Sequence, residues 1–289
     1  MPSTKATNLQ TPAARMVRIL FIGDIVGTPG REIVRRTVLP LARRERLDLV
    51  IANAENSAGG SGLTPANYKE LIAAGIDGIT LGDHIYRRKE IARVLETESN
   101  IVKPANFPAE APGSASMVLQ AEEGTPVAAI SLMGRVFMRP VDCPFAAIDR
   151  ELAALPSEVK VVVVDFHAEA TSDKQLMGRY LDGRVSAVLG THTHVATADE
   201  QILPGGTAFQ CDVGMTGPYH SILGRRIDRV LQSTRTFYPA PFDVATGDPR
   251  LSGSIVEIDP QTGRAVAISR IMINADDARQ LAETPLSEE

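Results

Sequence analysis

Along the 289-residue chain, apolar runs repeatedly stop at a polar residue able to bind a cation. VRILFIGD ends at Asp24, LDLVIANAEN at Glu55 and Asn56, and GITLGDH at Asp83 and His84. VVVVDFH ends at His167, and AVLGTHTH at His192 and His194. Short runs rich in Val and Ile, closed by Gly or polar residues, read as strands buried on both faces. Helical stretches separate them. Thr28-Pro29-Gly30 turns into a helix over about Arg31–Arg46, with Pro40 inside to kink or split it. Thr64-Pro65 opens the next helix with a hydroxyl N-cap and a proline at the first position, and Gly75 closes it. Arg87–Leu95, Cys143–Leu155, Asp173–Leu181 and Leu223–Ser233 read as further helices, and Ile101–Pro104, Ser116–Gln120, Val127–Leu132 and Thr207–Cys211 as strands.

This alternation predicts an α/β fold with parallel pairing and right-handed crossovers. The end differs. Gly253–Asp259 and Ala265–Ile273 flank Pro260-Gln261-Thr262-Gly263, an antiparallel hairpin in a mixed sheet. Residues 16–275 read as a single domain. Residues 1–15 and 276–289 read as tails, with LAETPLSEE fraying at the end.

Composition narrows the class. With 44% hydrophobic and 22% charged residues, the chain is an ordinary globular one. A formal net charge of -5 argues against an extended nucleic-acid surface, so an anionic substrate would need a local positive centre. Two cysteines, Cys143 and Cys211, make no disulfide framework and fit a reducing compartment. The apolar runs fall short of the ~18 residues a membrane helix needs. The N-terminal stretch has no apolar segment of the signal-peptide kind. These features place the protein in the cytoplasm, off the membrane, and leave a homo-oligomer open.

The strand-end residues carry the chemistry. Thr191-His192-Thr193-His194 presents two imidazoles on one side of an extended segment. A lone histidine such as His167 is more often structural, and an Asp such as Asp24 is often a helix N-cap, but a buried strand has no structural need for Glu55. Together the acids, the amide and the imidazoles meet at a sheet edge, where open α/β sheets build sites. Mixed oxygen and nitrogen donors suit zinc, manganese or iron, and two ions can clamp an in-line displacement at phosphorus. His84, beside a ligand, is placed to protonate a leaving alkoxide.

Gly23-Asp24, NAEN at 53–56, LGDH at 81–84, Phe166-His167 and GTHTH at 190–194, in this order, resemble the calcineurin-like metallophosphoesterase superfamily. NAENSAGGSGLT, DFHAEATSDK, GTHTHVATAD and DVGMTGPYHSILG are similar to its YmdB-like bacterial phosphodiesterase branch, over Val17 to about Ile273. The resemblance implies a two-sheet β sandwich flanked by helices. It implies that Asp24, Glu55, Asn56 and His194 hold one ion, and that Glu55, Asp83, His167 and His192 hold a second, with Glu55 bridging. It implies His84 as proton donor, and iron or manganese ahead of zinc or magnesium. The expected activity is a dinuclear phosphodiesterase acting on small phosphodiesters such as 2′,3′-cyclic nucleotides, with a metal-bound hydroxide as nucleophile.

One position departs from the pattern: Asp83 stands where the family usually has Asn. With two divalent ions and a hydroxide, three carboxylates bring the centre to zero charge, whereas an amide there would leave it positive. Asp83 is therefore expected to tighten metal binding and weaken the pull on an anionic substrate.

Two rival readings compete with this one. An amidohydrolase-like barrel also uses an HxH pair at a strand end, but on its first strand. A regulatory or scaffold protein would keep the metal site for structure, with little turnover. Lesser candidates read mainly as turns or solvated residues: the Ser57–Gly62 loop as a phosphate cradle, Gly214–His220 as a pocket lining, Arg135 as a phosphate contact, and the arginines at 35, 36, 43, 44 and 46 as a basic face.

Overall fold

The computed structural model describes residues 15–283. The first strand, β1 (Val17–Ile22), leads into α1 (Gly27–Glu45), then β2 (Leu49–Asn53), α2 (Pro65–Ala73), β3 (Gly78–Thr80), α3 (Ile91–Thr97) and β4 (Ile101–Val102). The second half runs β5 (Ser116–Gln120), β6 (Pro126–Met133), α4 (Pro144–Ala154), β7 (Val161–His167), α5 (Thr171–Leu181), β8 (Ala187–Thr191), β9 (Gln201–Ile202) and β10 (Ala208–Gln210). The chain then crosses back through β11 (Gly217–Pro218) and α6 (Ile227–Thr236) to β12 (Pro249–Ile258), β13 (Ala265–Asn274) and α7 (Ala275–Glu283).

Two sheets result. In one, β1 to β4 run parallel in chain order, while β12 pairs antiparallel with β1 and forms the C-terminal hairpin with β13. In the other, β6, β7, β8 and β10 are parallel, with β5 and β9 antiparallel at the edges. Alternate residues of each strand face different layers. Ile19 and Phe21 of β1 pack with Val161 and Val163 of β7 and with Ala187 and Leu189 of β8, in the core between the sheets. Leu20 and Ile22 instead meet Ile33, Val34 and Val38 of α1. On the far side, Val162 and Val164 pack with Ile148 of α4 and Met177 of α5. Helix, sheet, sheet, helix is the layer order, and it explains why the strands read as unbroken apolar runs.

This is the mixed α/β two-sheet sandwich flanked by helices that the resemblance implies. Several element boundaries differ from the sequence reading. The helix expected from Arg31 begins at Gly27 and runs through Pro40 without being split. The helix expected over Leu223–Ser233 starts only at Ile227, because Leu223 and Gly224 adopt positive φ in a turn bridged from Ile222 to Arg225. The helix expected over Arg87–Leu95 is shifted to Ile91–Thr97.

Beyond residue 275 the tail expected from the sequence is helix α7 as far as Glu283. Asn274 Oδ1 accepts from the N–H groups of Asp276 and Asp277, and Asp277 Oδ2 accepts from Asn274 N, a reciprocal cap. Ala278 and Leu281 then pack into the core that α1 shares. Residues 284–289, like the N-terminal stretch 1–14, lie outside the described residues.

Candidate metal centre

The strand ends of both sheets meet at one place. The sequence reading put all the ligand-type residues on a single sheet edge; the structure divides them between two. Asp24, Glu55, Asn56, Asp83 and His84 follow β1, β2 and β3 of the first sheet. His167, His192 and His194 come from the ends of β7 and β8 of the second. The site is therefore the seam where the parallel halves of the sandwich face each other at their carboxyl ends.

Close approach across that seam requires small residues. A Cβ on Gly82 would sit 2.3 Å from His167 Cδ2, so only glycine lets the imidazole lie beside the loop that carries Asp83 and His84. A Cβ on Gly23 would meet the carbonyl oxygen of Gly214 at 2.0 Å.

Ligand-type atoms of Glu55, Asp83, His167 and His192 lie within 4.8 Å of one another. His167 Nε2 is 3.1 Å from Glu55 Oε1 and 3.2 Å from Asp83 Oδ1, and His192 Nδ1 is 3.1 Å from His167 Nε2. A second group adjoins it. Asn56 Nδ2 is 3.3 Å from both Glu55 Oε1 and His194 Nε2, and His194 Nε2 is 3.6 Å from Asp24 Oδ1. Glu55 belongs to both groups. His84 lies across the opening: its Nδ1 donates to Asn56 Oδ1 at 2.7 Å, and its backbone N–H donates to Glu55 Oε2 at 2.9 Å. All eight side chains singled out in the sequence thus come together, and His220 does not join them; it is exposed beside Gly247.

Burial sharpens the electrostatics. Asp24 and Glu55 are almost completely buried, and Asp83 is partly so. Burial works against charge on Asp24, yet the neighbouring His194 and His167 outweigh it and hold the carboxyl well below the usual range. Asp83 behaves likewise, with burial overcome by His167. His167 is raised well above an ordinary histidine: burial opposes the proton, and Glu55 and Asp83 attract it more strongly. His192 is pushed the other way, by burial and by His167. Asp24 Oδ1 is buried and accepts no hydrogen bond. Three converging carboxylates, one with an orphaned oxygen, call for positive charge in their midst. With imidazole nitrogens as co-ligands, the donor set fits borderline divalent cations.

A buried layer beneath the cluster was not identified from the sequence. Asp165 accepts from Thr80 Oγ1 (2.6 Å), Asn53 Nδ2 (2.9 Å) and Thr191 Oγ1 (2.7 Å). Thr191 Oγ1 in turn lies 2.8 Å from His167 Nδ1, so the imidazole hydrogen on Nδ1 points at the hydroxyl and Nε2 is left facing the cluster. Burial pushes the Asp165 carboxyl up to about 6 despite those three donors. The signal was in VVVVDFH: Asp165 and His167, two apart on a strand, share a face.

The HxH turn is held from behind. His192 and His194 adopt φ of 96° and 64°, a left-handed conformation that non-glycine residues rarely take. Thr193 between them donates both its N–H and its hydroxyl to Asp212 Oδ2, which also pairs with the fully buried Lys174 at 2.6 Å. Asp24 Oδ2 accepts from His192 N–H.

The lesser candidates take structural roles. In the Ser57–Gly62 loop, the carbonyls of Ala58, Gly59 and Gly60 accept from Arg88 and Arg225. Arg135 is exposed, and its backbone N–H donates to Asp173. Arg35, Arg36, Arg43, Arg44 and Arg46 are exposed on or just beyond α1. Among the described residues, no helix is long and apolar enough to cross a membrane.

The chain is similar to known proteins along most of its length. A relative from Bacillus subtilis (strain 168), a 2′,3′-cyclic-nucleotide 2′-phosphodiesterase, is 47% identical over 90% of this chain and 98% of its own length. A putative phosphatase/phosphodiesterase of Mycoplasma pneumoniae is 34% identical over 92% of this chain and 96% of its own. The crystal structure of a hypothetical protein from Thermus thermophilus superposes with a TM-score of 0.83 at 44% identity, covering 89% of this chain and 99% of that one. A phosphatase structure from Mycoplasma pneumoniae gives a TM-score of 0.85 at 30% identity, covering 93% and 98%. The model of the YmdB-like protein family matches residues 20–271, and the chain belongs to that family.

Proposed function

We propose that the protein is a metal-dependent phosphodiesterase acting on small phosphodiesters, 2′,3′-cyclic nucleotides first among them. The observation that carries this reading is the cluster of Glu55, Asp83, His167 and His192, with His194 and the orphaned oxygen of Asp24 beside it. The substrate class follows from the relative in Bacillus subtilis. A small anion suits a chain of net charge -5 better than a polyanion does.

In this reading Asp24, Glu55, Asn56 and His194 hold one cation, and Glu55, Asp83, His167 and His192 hold another, iron or manganese in each case. Bound cations would supply the positive charge that the phosphoryl transition state needs. The chain's own residues do the rest. Asn56 fixes the His84 ring through Nδ1, which leaves Nε2 for the proton given to the departing ribose oxygen. His84 is partly exposed, within reach of a substrate. For Asn56 to serve as a ligand its amide turns over, bringing Oδ1 toward His194 and its NH2 toward His84. The chain acts as a single domain, with α7 packed on the core beyond the boundary at 275 expected from the sequence.

The test is hydrolysis of 2′,3′-cyclic AMP by protein loaded with Mn2+. Turnover to a nucleoside 3′-monophosphate, abolished by chelation and restored by Mn2+, is the expected result. Absence of turnover with any divalent metal would overturn the reading. The scaffold alternative gains no specific support from the site.

A further inference from the structure

Outside the proposed ligand set, one side chain reaches the cluster from the rim. Glu169 lies two residues past the end of β7, on the turn into α5, and is exposed. Its Oε2 stands 3.1 Å from His192 Nε2. The other ring nitrogen of His192, Nδ1, faces inward, 3.1 Å from His167 Nε2 and 3.6 Å from Asp83 Oδ1.

The three imidazoles follow one rule. Each turns one nitrogen to the cluster and the other to an acceptor outside it. His167 Nδ1 meets the Thr191 hydroxyl at 2.8 Å, His194 Nδ1 meets the Leu223 carbonyl at 3.2 Å, and His192 Nε2 meets Glu169. A neutral imidazole carries a single ring hydrogen, and the outer acceptor decides which nitrogen bears it. Of the three acceptors only Glu169 is a charged group. The backbone contact of His192 with Asp24 fixes its main chain and does not choose which ring nitrogen carries the hydrogen. With no acceptor on Nε2, the ring hydrogen is free to sit on Nδ1 and occupy the lone pair that a cation needs.

We propose that Glu169 is a positioning residue: it holds the hydrogen of His192 on Nε2 and aims Nδ1 at the cation shared with Glu55, Asp83 and His167. The inference rests on the reading that these four residues hold a cation. It adds a carboxylate–histidine–metal relay that the ligand set alone does not contain.

The experiment is a titration of metal-free protein with Mn2+, with free Mn2+ read by electron paramagnetic resonance, for wild type, Glu169→Ala and Glu169→Gln. Wild type is expected to take up two ions. Glu169→Ala should weaken one of the two by about 10–100-fold and leave the other unchanged. Glu169→Gln keeps an acceptor oxygen without the charge and should fall between. The melting temperature of the metal-free variants should match wild type, since the residue is exposed. Two outcomes would overturn the inference alone: wild-type affinity at both sites in Glu169→Ala, or an equal loss at both, which would mark a general effect of rim charge. A wild type that binds no Mn2+ would sink the underlying cluster reading with it.

Discussion

Two adjacent residues set the chemistry of the seam in different ways. His84 touches the opening through Asn56 and contacts Glu55 by its backbone, so its side chain can be removed without emptying the ligand groups. His84→Ala should lower kcat about 10²–10⁴-fold while metal content stays at the wild-type level; a matching loss of metal would reassign it to ligation. Asp83 is the charged residue at a position where the family's usual residue is neutral. It lies 3.2 Å from His167 Nε2 and 3.6 Å from His192 Nδ1. Asp83→Asn should bind metal less tightly yet show a lower KM for an anionic diester, because the centre gains positive charge. Isothermal titration with Mn2+ and steady-state kinetics separate the two effects, and a higher KM in metal-saturated mutant would refute the charge argument.

At the scale of elements, the HxH turn depends on support from β10, α5 and β1. Two left-handed non-glycine residues cost on the order of 1–3 kcal/mol each, and something must hold them. Asp212, just past β10, grips Thr193, and Lys174 of α5 neutralises Asp212 in a fully buried pair. Lys174→Met leaves a buried carboxylate without its partner. It should destabilise the fold by about 3–5 kcal/mol in denaturant unfolding, and a change under about 1 kcal/mol would show that the turn holds its shape without the pair. The ligand strip was legible because each buried run ends at a residue that a strand core does not tolerate. The split between two sheets was not legible. Strands buried on both faces show no alternation, so nothing in Val161–Val164 tells which neighbours they face. Glu169 was missed for a different reason: it sits on a turn, and its contact with His192 exists only once β7 and β8 lie side by side. The helix after residue 274 did leave a signal, in the Asn274/Asp277 cap and the i, i+3 pair of Ala278 and Leu281, but the polar sequence around them read as a tail.

For the molecule as a whole, the two sheets are tied at the seam by groups that repel one another unless cations or protons lie between them. A cation that binds the folded seam and not the separated strands would add to stability by mass action, by about 4 kcal/mol at a thousandfold excess over Kd. Chelation should therefore lower the melting temperature by several degrees as well as abolish turnover, and Mn2+ should restore both. An unchanged melting temperature on chelation would mean that the seam closes without cations. The most direct measurement is the anomalous difference density of crystals grown with Mn2+. Two peaks are predicted, one against Asp24, Asn56 and His194, the other against Asp83, His167 and His192, with Glu55 touching both. Density anywhere else in the molecule, or none at this seam, would contradict the account.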